Sequence, residues 1–246
     1  MSRFIQRMRS LSVYRANRRE LLKQGESAKY PFEMGKAYPC LDDRYQSSGT
    51  ASGHYFHQDL YVARRIFEGK PDLHLDVGSR VDGFIAHVAS FREITILDIR
   101  PLTGKIPNVS FSQCNIMGDL APALVESTDS LSCLHALEHF GLGRYGDPVS
   151  YDGYLDGFNN LYRILRPGGK LYLSVPIGPT RIEFDAHRVF TMTFLLDLVS
   201  DGFEVDAFSY VDDKGDFHPD VGIEEGGVES NFNCVFGCGI FELTKK

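Results

Sequence analysis

The chain has 246 residues and a mass of 27.6 kDa, the length of one large domain or of one domain with an added segment. Hydrophobic residues make up 43% and charged residues 24%, which argues against a disordered or fibrous chain. The formal charge of −7, from 26 basic and 33 acidic side chains, disfavours generic nucleic-acid binding, and no apolar run is long enough to span a membrane. Five scattered cysteines (Cys40, Cys114, Cys133, Cys234, Cys238) with no secretory signal before them read as reduced thiols in a cytoplasm-like compartment.

The charge is unevenly spread. Residues 1–24 hold seven bases (Arg3, Arg7, Arg9, Arg15, Arg18, Arg19, Lys23) against Glu20, a sum of +6, so the other residues sum to −7 − 6 = −13. Within 3–23, Phe4, Met8 and Leu11 step by four and three and predict a helix. Two readings stand for this segment. It is an arm that lies on anionic lipid or on a protein partner, or it is an ordinary surface helix. Residues 25–54 are rich in loop formers, and Phe56, Leu60, Ala63 and Phe67 then predict a helix over 56–68 that Gly69 and Pro71 end.

From 73 onward strand and helix signals alternate. Strands are expected at 73–77, 94–99, 109–114, 131–135 and 170–175, with a helix at 84–89 after a glycine-bearing turn. Tyr151, Leu155, Phe158, Tyr162 and Leu165 step by four, three, four and three, so 151–165 is the clearest helix. Thr191 caps another at 192–199, and strands at 203–210 and 234–243 flank an acidic stretch, 211–231. The alternation predicts a doubly wound α/β fold with a mainly parallel seven-stranded sheet over 71–246, preceded by a helical extension over 1–70. Ligands of such sheets bind outside the carboxyl ends of the strands, near the switch point.

Those ends carry the chemistry. The first strand runs into Asp76-Val77-Gly78-Ser79-Arg80-Val81-Asp82-Gly83, and the second ends at Asp98. A glycine turn lets a ligand approach the backbone, and an acid ending the second strand can accept both hydroxyls of a ribose. Together they point to an adenosine-containing cofactor. Dinucleotide sites place a second glycine where this chain has Arg80, so an oxidoreductase is disfavoured and S-adenosylmethionine, which has no phosphate, is favoured.

The stretch DSLSCLHALEH (129–139), followed by YRILRPGGKLYLSVP (162–176), resembles the class I S-adenosylmethionine-dependent methyltransferases. LEHFGLGRYGDP (137–148), with DVGSRVDGFIAHV and LDIRPL, is similar to a narrower methyltransferase-fold family associated with sugar-transfer and surface-polysaccharide genes. The resemblance implies that Asp76, Gly78 and Ser79 border the methionine part of the cofactor, with Arg80 a further cofactor-binding candidate, and that Asp98 holds the ribose with Ile99 against the adenine. It also implies that Asn115 reads the adenine edge and that His135 lies near the methionine amine. Two departures are visible: Gly78 and Gly83 are one residue further apart than the family's pair, and Asn115 stands in place of an acid.

Methyl transfer to a sugar hydroxyl needs positioning and a nearby base. Glu138, His139 and His187 are the candidates, each with a structural alternative as a loop or capping residue. Arg144, Tyr145 and Asp147 form a polar, glycine-flanked loop suited to gripping an acceptor, or a rigid loop in which Arg144 and Asp147 pair. His54 and His57 precede the 56–68 helix and either close over the site or lie on the surface. No metal is expected, since Cys234 and Cys238 lack a second ligand pair. The expected activity is O-methylation of a sugar or glycan precursor. The alternative is a non-catalytic methyltransferase-fold subunit that docks through residues 1–24 on a membrane-associated complex.

Overall fold

The computed structural model describes residues 3–223 and 226–246, so Met1 and Ser2 of the basic arm and Glu224 and Glu225 of the acidic stretch lie outside the described residues. The chain divides into two compact units, Met1–Thr50 and Ala51–Lys246. The division falls before the second helix, not after it, because that helix carries a buried apolar stripe that belongs to the sheet.

The first unit is helix α1 (Arg3–Gly25) and an extended segment that returns along it, with Arg7 3.7 Å from Asp42. The expected apolar face is not a stripe. Phe4, Met8 and Leu21 are exposed, and the apolar residues are spread around the helix axis. No helix among the described residues is long and apolar enough to cross a membrane.

In the second unit the main sheet has the order β3-β2-β1-β4-β5-β10-β8-β9 among the described residues. Strands β1 (His74–Val77), β2 (Ile94–Asp98), β3 (Val109–Gln113), β4 (Thr128–Leu134) and β5 (Leu165–Ile177) run parallel. Strand β10 (Gly237–Lys245) inserts antiparallel between β5 and β8 (Phe203–Val211). The chain steps outward from β1 to β3 and then crosses back to β4, so the order reverses between β1 and β4. That reversal opens a crevice at the carboxyl ends of these two strands.

Strand alternation sorts side chains to two faces, and a helical layer covers each. On one face Val62, Ala63 and Ile66 of α2 (His54–Gly69) pack with Phe84, Ile85, Val88, Ile94 and Ile96. On the other, Phe158, Leu161 and Ile164 of α4 (Gly153–Ile164) and Met192, Leu195 and Val199 of α5 (Met192–Ser200) cover Leu75, Leu97, Leu131 and Leu173. Each fully buried aliphatic or aromatic side chain contributes roughly 1.5–3 kcal/mol. Thr191 caps α5 as expected, its Oγ1 accepting from the Phe194 N–H at 3.3 Å.

The structure adds elements that periodicity did not show. The acidic stretch contributes β9 (Phe217–His218), which pairs with β8 and makes the main sheet eight-stranded instead of seven-stranded. Strands β6 (Arg181–Glu183) and β7 (His187–Val189) form a separate hairpin. The expected 84–89 helix is a wide turn, Val81–Ile85, running into the short α3 (Ala86–Ala89). Gly83 explains the long glycine spacing: a Cβ there would lie 2.5 Å from the Asp59 carboxylate, so this glycine admits α2 against the turn.

Candidate functional site

A cavity of about 290 Å³ opens at the carboxyl ends of β1, β2 and β4. Its floor is Val77, Gly78, Leu97, Asp98, Ile99, Asn115 and Ile116, and its opposite wall is His135, Ala136, His139 and Phe140. Arg80, Arg100, Arg144, Tyr145, Asp147 and Tyr55 surround the mouth. Gly78 has φ +74°, and a Cβ on it would stand 3.0 Å from the Ala136 Cβ, so this turn keeps the two walls apart only as glycine.

Of the residues expected near a cofactor, Gly78, Arg80, Asp98, Ile99, Asn115 and His135 line the cavity. Asp76 and Ser79 do not. Asp76 is fully buried and accepts hydrogen bonds from the Ser132 hydroxyl (2.5 Å), the Ser79 hydroxyl (2.7 Å) and the Ser79 N–H (3.0 Å). This network fixes the β1 turn from beneath. Burial pushes the Asp76 carboxyl up to about 6 despite those hydrogen bonds. The Arg80 guanidinium is held by Asp82 at 2.9 Å and lies over the Tyr55 ring.

Asp98 is engaged by Arg100. The guanidinium spans both carboxylate oxygens, Nη2 to Oδ2 at 2.6 Å and Nε to Oδ1 at 3.0 Å, and also donates to the Gly78 carbonyl at 3.3 Å. The same group stacks on Tyr145, 4.5 Å from the ring centroid. Sequence reasoning missed Arg100, although its place two residues after the strand-ending acid, in LDIRPL, was an available signal.

The loop after β4 sorts the three candidate bases. Glu138 is fully buried and does not line the cavity. Its Oε1 lies 2.7 Å from His135 Nδ1, and its Oε2 has no hydrogen-bond partner among the described residues. Burial opposes charging both groups. Their mutual attraction, joined at His135 by the Cys238 sulfur, outweighs it, so the Glu138 carboxyl sits below and the His135 ring well above its usual value. His139 does line the cavity. Its Nδ1–H donates to the Ala186 carbonyl at 2.7 Å, which leaves Nε2 unprotonated, and burial lowers its pKa. His187 stands elsewhere, 3.0 Å from Glu183 on the β6–β7 hairpin and packed against Phe236.

Asp147 organises the loop after β4. Its carboxylate accepts from the N–H groups of Gly141 (2.9 Å), Gly143 (3.1 Å) and Tyr145 (3.1 Å). Arg144 donates to the Ala186 carbonyl instead of pairing with Asp147. Arg100 and Arg144 both lie over the Tyr145 ring, which stands nearly perpendicular to the His139 ring. His57 stacks on Phe217, whereas His54 stacks on His135 with centroids 5.2 Å apart. His54, His135 and Cys238 each bring a metal-ligating atom into one group.

Comparison with known proteins identifies the fold. A family model described as "Caenorhabditis protein of unknown function, DUF268" matches residues 113–218. No curated protein matches. The chain is similar in structure to a Burkholderia thailandensis 1,6-didemethyltoxoflavin-N1-methyltransferase crystallised with 1,6-didemethyltoxoflavin and S-adenosylhomocysteine. That match has a TM-score of 0.55 at 16% identity over 79% of each chain. It is similar to the N-methyltransferase NodS from Bradyrhizobium japonicum WM9 in complex with S-adenosylhomocysteine, with a TM-score of 0.51 at 12% identity over 78% of this chain and 88% of that one. It is also similar to the [4+2]-cyclase SpnF, with a TM-score of 0.52 at 16% identity over 98% and 95% of the two chains. The fold is the Rossmann-like fold of these methyltransferases, and SpnF's name assigns a different reaction to the same architecture.

Proposed function

We propose that this chain binds S-adenosylmethionine in the cavity between β1, β2 and β4 and methylates a hydroxyl of a sugar or glycan precursor. The observation that carries this reading is one cavity, at the switch point, that joins the Gly78 turn and the Asp98 carboxylate to the His139 ring. The residues present fit the nucleoside. Gly78 leaves room where a Cβ would close the cradle, Asp98 offers two acceptor oxygens to a ribose once Arg100 yields, and Ile99 and Ile116 are apolar neighbours for a base. When bound, S-adenosylmethionine supplies an activated methyl group, so the protein needs to position the acceptor and remove its proton.

His139 is the base this geometry favours. Its Nε2 is free to take the acceptor hydroxyl's proton, because the Ala186 carbonyl fixes the proton on Nδ1. Glu138, buried with Oε1 3.7 Å from the same Nε2, favours the imidazolium that results. Arg144 and Tyr145 stand at the mouth, where an acceptor rich in hydroxyls would meet donors and a ring face. The sugar class rests on the likeness of the 137–148 loop to the polysaccharide-associated family. Docking of residues 1–24 on a membrane draws no support from α1, whose apolar residues form no stripe.

Calorimetric titration with S-adenosylmethionine, S-adenosylhomocysteine and NAD tests the reading. The first two should bind, NAD should not, and Asp98→Ala should remove binding. Absence of binding to the first two sinks the proposal. Binding with no methyl transfer to any offered glycan replaces it with the non-catalytic alternative.

A further inference from the structure

Three ligating side chains far apart in sequence meet beside the cavity wall. His54 is in the first turn of α2, His135 follows β4, and Cys238 is fully buried in β10. One donor atom from each lies within 4.8 Å of the others. We propose that His54, His135 and Cys238 bind a divalent ion of the zinc class, with Glu138 orienting His135 from behind and a fourth coordination position open to water.

The His135 ring carries the argument. Its Nδ1 is 2.7 Å from Glu138, and its Nε2 is buried with no hydrogen-bond partner among the described residues. A ligating histidine typically donates its other ring N–H to a carboxylate, which fixes the tautomer and makes the free nitrogen a better donor to metal. Here that carboxylate is in place, and the Cys238 sulfur lies beside the same ring. A second imidazole and a thiol then form a nitrogen and sulfur donor set that suits zinc, not magnesium or calcium.

The remaining details agree. Cys238 sits in β10 and His135 directly follows β4, whereas His54 begins a helix and can adjust. Ligand atoms around a tetrahedral zinc are about 3.3–3.7 Å apart for the usual bond lengths. The donor atoms, now within 4.8 Å of one another, close to that spacing on binding, and His54 must turn out of its parallel stack on His135. On binding, the Cys238 thiol gives its proton to solvent and leaves its present neighbour, Gln58 Oε1 at 3.7 Å. No electron transfer is involved.

The test uses the full chain without a histidine tag, stripped of metal by chelator dialysis and titrated with Co²⁺. One Co²⁺ per chain should bind and give visible bands of a four-coordinate site with a thiolate charge-transfer band in the near ultraviolet. Zn²⁺ should bleach both. Cys238→Ser should lose the charge-transfer band, Cys234→Ser should keep it, and His54→Ala should lose tight binding. If Cys238→Ser fails to fold, the Cys234→Ser and His54→Ala pair still decides. A folded chain that shows no such bands, or bands that survive His54→Ala unchanged, overturns the proposal. These readouts need no cofactor, so they fail or succeed independently of S-adenosylmethionine binding.

Discussion

Arg100 clasps Asp98 through both carboxylate oxygens, at 2.6 and 3.0 Å, and so holds the acid that the proposed function gives to a ribose. A nucleoside that uses Asp98 must displace the guanidinium. The arginine is 40% exposed, and an ion pair so placed contributes roughly 0.2–1 kcal/mol. Arg100→Ala should therefore tighten S-adenosylhomocysteine binding about two- to fivefold by calorimetry. Weaker binding would mean that Arg100 touches the ligand and does not compete with it.

The Gly78 turn makes a second prediction. Gly78→Ala places a methyl 3.0 Å from the Ala136 Cβ at a φ of +74°. The variant should lose about 1–2 kcal/mol of stability from backbone strain alone. It should also bind S-adenosylhomocysteine at least about tenfold more weakly, a loss of about 1.4 kcal/mol, because the walls shift. Urea unfolding and calorimetry measure the two effects separately. Unchanged affinity would show that the nucleoside does not rest on this turn.

Two buried groups on β1 give stability opposite pH dependences. Asp76, pushed up to about 6 by burial, holds a proton in the native state that the unfolded chain releases from about 3.8 upward. Its contribution therefore falls as pH rises through that window, by at most about 3 kcal/mol. His74, buried between Ser130 and Ser132 and pushed down to about 3, acts the other way: the unfolded chain takes up a proton below 6.5 that the native ring refuses. Stability is lost as pH falls from about 6.5 towards 3. In urea unfolding, Asp76→Asn should gain on the wild type as pH rises from 4 to 6, and His74→Gln should gain as pH falls below 6.5. Parallel pH curves for either variant and the wild type would refute that residue's assignment.

The compact unit Ala51–Lys246 contains α2, the whole sheet and every residue lining the cavity. A chain of residues 51–246 should unfold cooperatively, with S-adenosylhomocysteine affinity unchanged within about twofold, as circular dichroism and calorimetry would show. Loss of binding would place residues 1–50 in the functional unit.

Much of this protein was legible in the order of its residues. The alternation of 73–77, 94–99 and 131–135 with the 151–165 periodicity gave the parallel sheet, because burying one face of each element leaves a repeat of two or about 3.6. The Gly78 turn and Asp98 located the cavity, since both sit where the chain leaves a strand. Three things were not legible. Asp76 and Asp98 are both acids at strand ends, yet only the sheet shows that one faces Ser79 and Ser132 and the other the cavity. Glu138, His139 and His187 were equal candidates until burial sealed the first and the β6–β7 hairpin carried off the third. The approach of His54, His135 and Cys238 was invisible, because an antiparallel β10 inserted beside β5 joins positions with no common spacing. Local pattern fixes which residues are buried and in which element. Long-range strand order, which is decided by packing of the whole sheet, determines which side chains meet.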